Sequence, residues 1–207
     1  LRQMTGDAEF NEVYFTDVRI PDSERLGEVG EGWRVAITTL MNERVSIGGS
    51  IPPRESGPIA VAKQAWQEHC DPDDGATKDE FMQLWVRAEI SRLTNIRASQ
   101  MRKLGDPGPE GSVAKLAMAE LNKDIMSFAV DCMGAHGMLY GTYDIDRSGG
   151  VGMFGGSTQQ SFLRSRANSI EGGTTEVMKN ILGERVLGLP GDIRVDKDKP
   201  WSEVPRS

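Results

Sequence analysis

A mainly α fold, an antiparallel four-helix bundle with a short β remnant at its N-terminus, is the architecture this sequence predicts. Three observations carry it. Apolar residues recur at helical spacing over four long stretches separated by Gly-, Pro- and Asp-rich breaks. Strand-like alternation is confined to residues 8–20. Ten methionines and only 6% aromatic residues suit helix-on-helix packing. With 38% hydrophobic and 27% charged residues the 207-residue chain reads as a globular protein with one sizeable domain.

In order along the chain, AEFNEVYFTDVRI (8–20) reads as extended, with Phe10, Val13, Phe15, Val18 and Ile20 in partial alternation until Pro21 and Asp22 break it. One or two strands make no stable sheet alone, so this segment must pair elsewhere or pack on the helices. From Glu31 the period changes: Trp33, Ala36, Ile37, Leu40 and Ile47 form a stripe at helical spacing, closed by Gly48, Gly49 and Pro52. A second helix runs from about Pro58 to Cys70, with Ile59, Ala62, Ala65 and Trp66 inward, followed by an acidic loop, DPDDGATKD (71–79). A third spans about 78–104. Its two apolar faces, Met82/Val86/Ile90/Leu93 and Phe81/Trp85/Ala88, predict burial on both sides. DPGPEG (106–111) turns the chain and Ser112 can cap a fourth helix, 113–133. A glycine-rich loop reaches Gly156, a short helix spans about Thr158–Arg166, and a last one runs from about Thr174 to Leu187 before Pro190. The charged tail after it reads as loosely held.

The net charge of −7 speaks against a nucleic-acid or anionic-membrane surface, and no apolar run approaches membrane-spanning length. Cys70, Cys132, His69 and His136 show no metal-ligand spacing. Two distant cysteines fit a reduced, cytoplasmic setting better than a disulfide framework. The opening LRQMTGDAEF has no initiating Met and reads as an entry in mid-domain.

Two separated motifs carry a resemblance. FNEVYFTDVRIPDSERLGEVGEGW resembles the last strands of the middle β-domain of acyl-CoA dehydrogenases and the entry to their C-terminal helical domain; GGTTEVMKNILGERVLGLP is similar to the signature that closes that domain. The resemblance implies residues 1–28 as the end of the β-domain, 29–190 as the helical domain and 191–207 as a tail. It implies FAD as cofactor, an acyl-CoA substrate oxidised to the trans-2-enoyl-CoA, electron-transfer flavoprotein as electron acceptor, and a homo-oligomer (dimer or tetramer) or a heteromeric assembly. The chemistry needs one carboxylate in a largely apolar pocket, its basicity raised by desolvation, to take the α-proton.

Two carboxylates compete for that role. Many family members carry the base directly before a Gly-Thr, a position held here by Gly172, with Glu171 one residue earlier. Other branches place it on the first helix of the bundle before an Arg, which selects Glu43 in LMNERVSIGG. The spacing agrees: Glu43 lies three residues after Leu40 and four before Ile47, on the apolar stripe. From the residues alone Glu43 either orders the bundle by pairing with an Arg or acts as a base; the resemblance favours the base. Glu171 is read as an acid near the positive end of the last helix, with a substrate-wall role beside Gly172. By resemblance Thr174 and Glu176 fall where members contact flavin diphosphate and ribose, Gly134 and Gly137 of GAHG belong to a turn approaching the FAD of a neighbouring subunit, and Arg44 reaches toward CoA. Asp131 stands where many members have Gln, and the loop at 71–79 has four Asp and no Arg where members hold the pyrophosphate. A non-catalytic partner subunit and a plain helical interaction domain are the rival readings.

Overall fold

In the computed structural model, residues 1–47, 51–104, 110–140, 156–191, 193–196 and 199–204 are described. The predicted bundle is present. Its helices are α1 (Gly32–Ile47), α2 (Pro58–His69), α3 (Gly75–Lys103), α4 (Glu110–Cys132), α5 (Thr158–Ser165) and α6 (Thr175–Arg185). Short 3₁₀ turns at Gly134–Met138 and Arg166–Ser169 follow α4 and α5. No helix among the described residues is long and apolar enough to cross a membrane.

Local chemistry sets the boundaries. Pro58 occupies the first turn of α2, where its missing N–H costs nothing. The helix expected from about Lys78 begins at Gly75 instead. Asp74 accepts the Ala76 N–H (3.0 Å) and the Thr77 hydroxyl, so the acidic loop ends in a cap. These bonds, with Thr77 first, hold the Asp74 carboxyl below its ordinary range. Helix α4 likewise starts before Ser112, which lies inside its first turn rather than at the cap.

The core sits where α2, α3 and α4 meet. Ile59, Ala62 and Ala65 of α2, Phe81 and Leu84 of α3, and Leu121, Ile125, Met126, Phe128 and Ala129 of α4 are buried together. Trp66 stacks on Phe81 with ring centroids 5.4 Å apart, and Phe81 tilts against Phe128 at 6.1 Å. Helix α4 is the hub: it packs on α1, α2, α3, α5 and α6.

Two expectations of burial fail. The stripe of α1 is uncovered, with Trp33 80% exposed. On α3 the Phe81/Leu84 face is buried, but the Met82/Val86/Ile90/Leu93 face is exposed, Ile90 by 58%. The periodicity was sufficient to make each helix amphipathic, and nothing among the described residues covers those stripes. Residues 8–20, read as extended, form no strand, nor does any other described segment, and Asp17 interrupts them with a φ of 50°. They have no sheet to join, and Phe15 is 77% exposed. The N-terminus is nonetheless stitched down: Tyr140 donates to the Thr5 carbonyl (2.5 Å), and the Gln160 amide donates to the Asp7 carboxylate (3.0 Å).

Cys70 and Cys132, distant in sequence, meet where α2 ends and α4 ends, both as free thiols. Burial, then the Cys70 contact, push the Cys132 thiol up to about 12. Since the thiolate is the nucleophile, alkylation of Cys132 by iodoacetamide at pH 8 should run on the order of a hundred-fold or more slower in the native protein than in urea. Site-resolved mass spectrometry checks this, and equal rates would refute it.

Candidate functional site

The loop that feeds α6 is assembled by side chains from three elements. Glu171 is gripped by Arg164 of α5, whose guanidinium donates through both terminal nitrogens at 3.1 and 2.9 Å. The Asn168 amide donates to the same carboxylate at 2.9 Å. Glu171 is therefore held by an ion pair as well as lying before a helix start, and Arg164 is the arginine that balances it. Arg166 serves the frame: it stacks on Phe162 at 4.4 Å and donates to the Lys123 carbonyl at 3.1 Å, and burial lowers its pKa. The Arg164–Glu171 pair is partly exposed but two-pronged. A double-mutant cycle with Arg164→Met and Glu171→Gln should return a coupling of about 1 kcal/mol in chemical denaturation, and zero coupling would remove it as a loop anchor.

After Glu171 come two glycines in the left-handed region, Gly172 at φ 64° and Gly173 at φ 102°. The φ of Gly173 calls for glycine there, and the flexible end of Met178 fills the space a Cβ would enter, Cε 2.6 Å from it. Thr174 is the N-cap of α6, its hydroxyl oxygen accepting the Val177 N–H at 3.2 Å. The Thr175 hydroxyl donates to Glu120 of α4 at 2.7 Å. Glu176 is exposed on the first turn.

Beneath this loop lies a polar cluster that the sequence reading missed. The Lys115 ammonium, on a residue only 7% exposed, donates to the Asn168 carbonyl (2.8 Å) and the Gly173 carbonyl (2.5 Å). The Asn122 amide donates to Asn168 Oδ1 at 2.5 Å. Burial lowers the Lys115 pKa, opposed by the charges of Glu171 and Glu120. A signal was available: Lys115 and Asn122 sit on the same buried stripe as Ala119, Met126 and Ala129.

Gly134 (φ 55°) and Gly137 lie in the turn after α4. A Cβ on Gly137 would fall 2.6 Å from the Val130 carbonyl oxygen, so glycine is needed there to close the turn on α4. Since Lys115, Glu120 and Asn122 meet the segment that leads into α6 and α4 continues to Cys132, the turn stands roughly 15–25 Å along the helix axis from the α6 loop. The two sets of predicted cofactor residues are not brought together within one chain. The backbones of Glu43 and Arg44 lie in α1, while their side chains fall outside the described residues.

The profile of the family described as "Acyl-CoA dehydrogenase, C-terminal domain" matches residues 30–187. The chain belongs to the acyl-CoA dehydrogenase family. Among curated acyl-CoA dehydrogenases it is 31% identical over 198 residues to IpdE1 of Mycolicibacterium smegmatis, covering 94% of this chain and 46% of that protein. It is 30% identical over 195 residues to FadE34 of Mycobacterium tuberculosis, covering 92% of this chain and 24% of that protein. Among solved structures, a steroid acyl-CoA dehydrogenase, Tcur3481-Tcur3483, superimposes with a TM-score of 0.66 at 22% identity, over 86% of this chain and 45% of that one. Butyryl-CoA dehydrogenase from Megasphaera elsdenii gives 0.64 at 18% identity, over 84% and 43%. The chain thus spans less than half the length of these acyl-CoA dehydrogenases.

The donor set at the start of α6 fits the flavin that this family generally uses. A helix N-terminus offers N–H groups to a diphosphate, the Thr174 hydroxyl keeps a proton to donate after capping Val177, and the exposed Glu176 is an acceptor suited to a ribose hydroxyl. No group of three or more His, Cys, Asp or Glu side chains placed to hold a metal occurs among the described residues.

Proposed function

We propose that this chain is the C-terminal part of an FAD-dependent acyl-CoA dehydrogenase that converts an acyl-CoA to its trans-2-enoyl-CoA, with Glu43 as the base. The observation that carries the assignment is the grip on Glu171. Both its oxygens already accept from Arg164, one also from Asn168, and the next residue, where many members carry the base, is a glycine. The Glu171 oxygens are thus engaged by donors of the chain itself. Of the two carboxylates the resemblance offers, we assign Glu43, on α1, to remove the α-proton, and Arg44, next to it in sequence, to the CoA moiety. Bound FAD supplies the acceptor for the β-hydride. Thr174 and Glu176 hold its diphosphate and ribose side, and Glu171 with Gly172 forms part of the substrate wall.

Assembly belongs to the same reading. The separation along α4 between the α6 loop and the Gly134–Gly137 turn supports a cofactor site shared between subunits, one contributing the loop and the other the turn. The uncovered stripes of α1 and α3 support a homo-oligomer built on them and on the rest of the protein. Electron-transfer flavoprotein is the proposed electron acceptor. Anaerobic addition of acyl-CoA thioesters to the full-length protein tests the reading: the oxidised-flavin absorbance should bleach. A flavoprotein that no acyl-CoA bleaches would overturn it.

The glycine at 172 also favours a second reading, in which this subunit is the non-catalytic partner in a heteromeric enzyme. Bleaching by the isolated homo-oligomer excludes that alternative.

A further inference from the structure

Lys115 is an expensive way to tie down a loop. An ammonium buried against neutral carbonyls loses hydration that dipoles only partly replace. The nearby carboxylates are committed elsewhere, Glu171 to Arg164 and Glu120 to Lys123 and the Thr175 hydroxyl. Glu171 and Glu120 offset the ammonium only through space, and its direct partners are the two carbonyls. A trans peptide fixes its C=O and its N–H on opposite sides of the plane. Drawing the Gly173 carbonyl down to Lys115 at 2.5 Å consequently aims the Thr174 N–H away from α4, at the outer face of the α6 N-terminus. Gly173 reaches this orientation through a φ of 102° that L side chains avoid, with Met178 filling the space of a side chain. The hydrogen bond from a cation also polarises the Gly173–Thr174 peptide, strengthening its N–H as a donor.

We propose that Lys115 is a positioning residue for the anion side of the cofactor site: it sets the Gly173–Thr174 peptide so that its N–H faces the flavin's diphosphate, and places a buried positive charge behind it. The inference rests on the flavin reading of the α6 loop. Its electrostatic partner is the diphosphate, not the isoalloxazine ring, and this separates it from a merely structural role.

The test uses the full-length apoprotein, titrated with FAD and with riboflavin, which lacks the diphosphate and the adenosine. Lys115→Met should weaken FAD binding about 10- to 100-fold while changing riboflavin binding less than about three-fold. Lys115→Gln, which keeps a donor but no charge, should fall between Met and wild type and is read in the same way where the Met variant does not fold. Unchanged FAD affinity in a folded variant overturns the inference alone. Equal weakening of both ligands, or failure of both variants to fold, assigns Lys115 to structure and overturns it too. No FAD binding by the wild-type protein overturns the proposed function, and the inference with it.

Discussion

Replacing Glu43 with Gln in the full-length protein is expected to slow flavin reduction by acyl-CoA about 10²- to 10⁴-fold, with FAD content and acyl-CoA affinity close to wild type. Gln keeps the volume and the polarity of Glu but has no basic oxygen to receive the α-proton, so the loss falls on the chemical step. Glu171→Gln is the matched control. Its carboxylate is already occupied by Arg164 and Asn168, so the reduction rate should change by only a few-fold. Single-turnover bleaching in a stopped-flow instrument separates the two. A Glu43→Gln protein that bleaches at the wild-type rate would make Glu43 structural. A collapse of the rate in Glu171→Gln would move the base to the α6 loop and require Arg164 to release it during turnover.

The second large effect is on stability. Phe81→Ala should cost about 4 kcal/mol, because the ring is 6% exposed and joins all three helices of the core. It stacks on Trp66 of α2 with planes 1° apart and meets Phe128 of α4. The Trp66 indole N–H is buried and lacks an acceptor among the described residues, so stacking and packing, not a hydrogen bond, fix that ring. Loss of Phe81 therefore frees Trp66 as well as leaving a cavity. With domain stabilities of about 5–15 kcal/mol, the melting temperature measured by circular dichroism should drop by roughly 10 °C. Phe81→Leu, which leaves a smaller void, should lose less than half as much. A Phe81→Ala protein that melts within a degree or two of wild type would show that Phe81 is not central to the core.

The fold was legible because helical periodicity is a local property. The stripe through Ile59, Ala62 and Ala65 identified α2 to within a residue, and the pattern in 113–133 identified α4 despite its unseen first turn. What periodicity does not encode is whether a stripe has a neighbour. Trp33 and Ile90 belong to well-formed apolar faces that the described residues leave open. The extended segment at 8–20 is the same case in strand form.

The site was legible in part, for a related reason. Glu171, Gly172, Gly173 and Thr174 are contiguous, so their cluster is written in the sequence. The grip of Arg164 on Glu171 joins residues seven apart, across the end of α5 and the turn that follows it. Lys115 is 58 residues from Gly173, and only the packing of α4 on the loop joins them. The rule applied to Glu43, a charge on an apolar stripe, applies equally to Lys115 and would have singled it out.

The placement of α4 also ranks the helices by how readily each comes loose. Helix α1 packs chiefly on α4, so it can detach while the Phe81 core stays closed. Helix α4 contacts every other helix and cannot leave without global unfolding. In terms of amide exchange, α1 belongs with the early-opening units and the middle of α4 with the last. Glu43 therefore rides on a helix tied to the bundle chiefly through α4, while Lys115 stands on the helix that all the others hold.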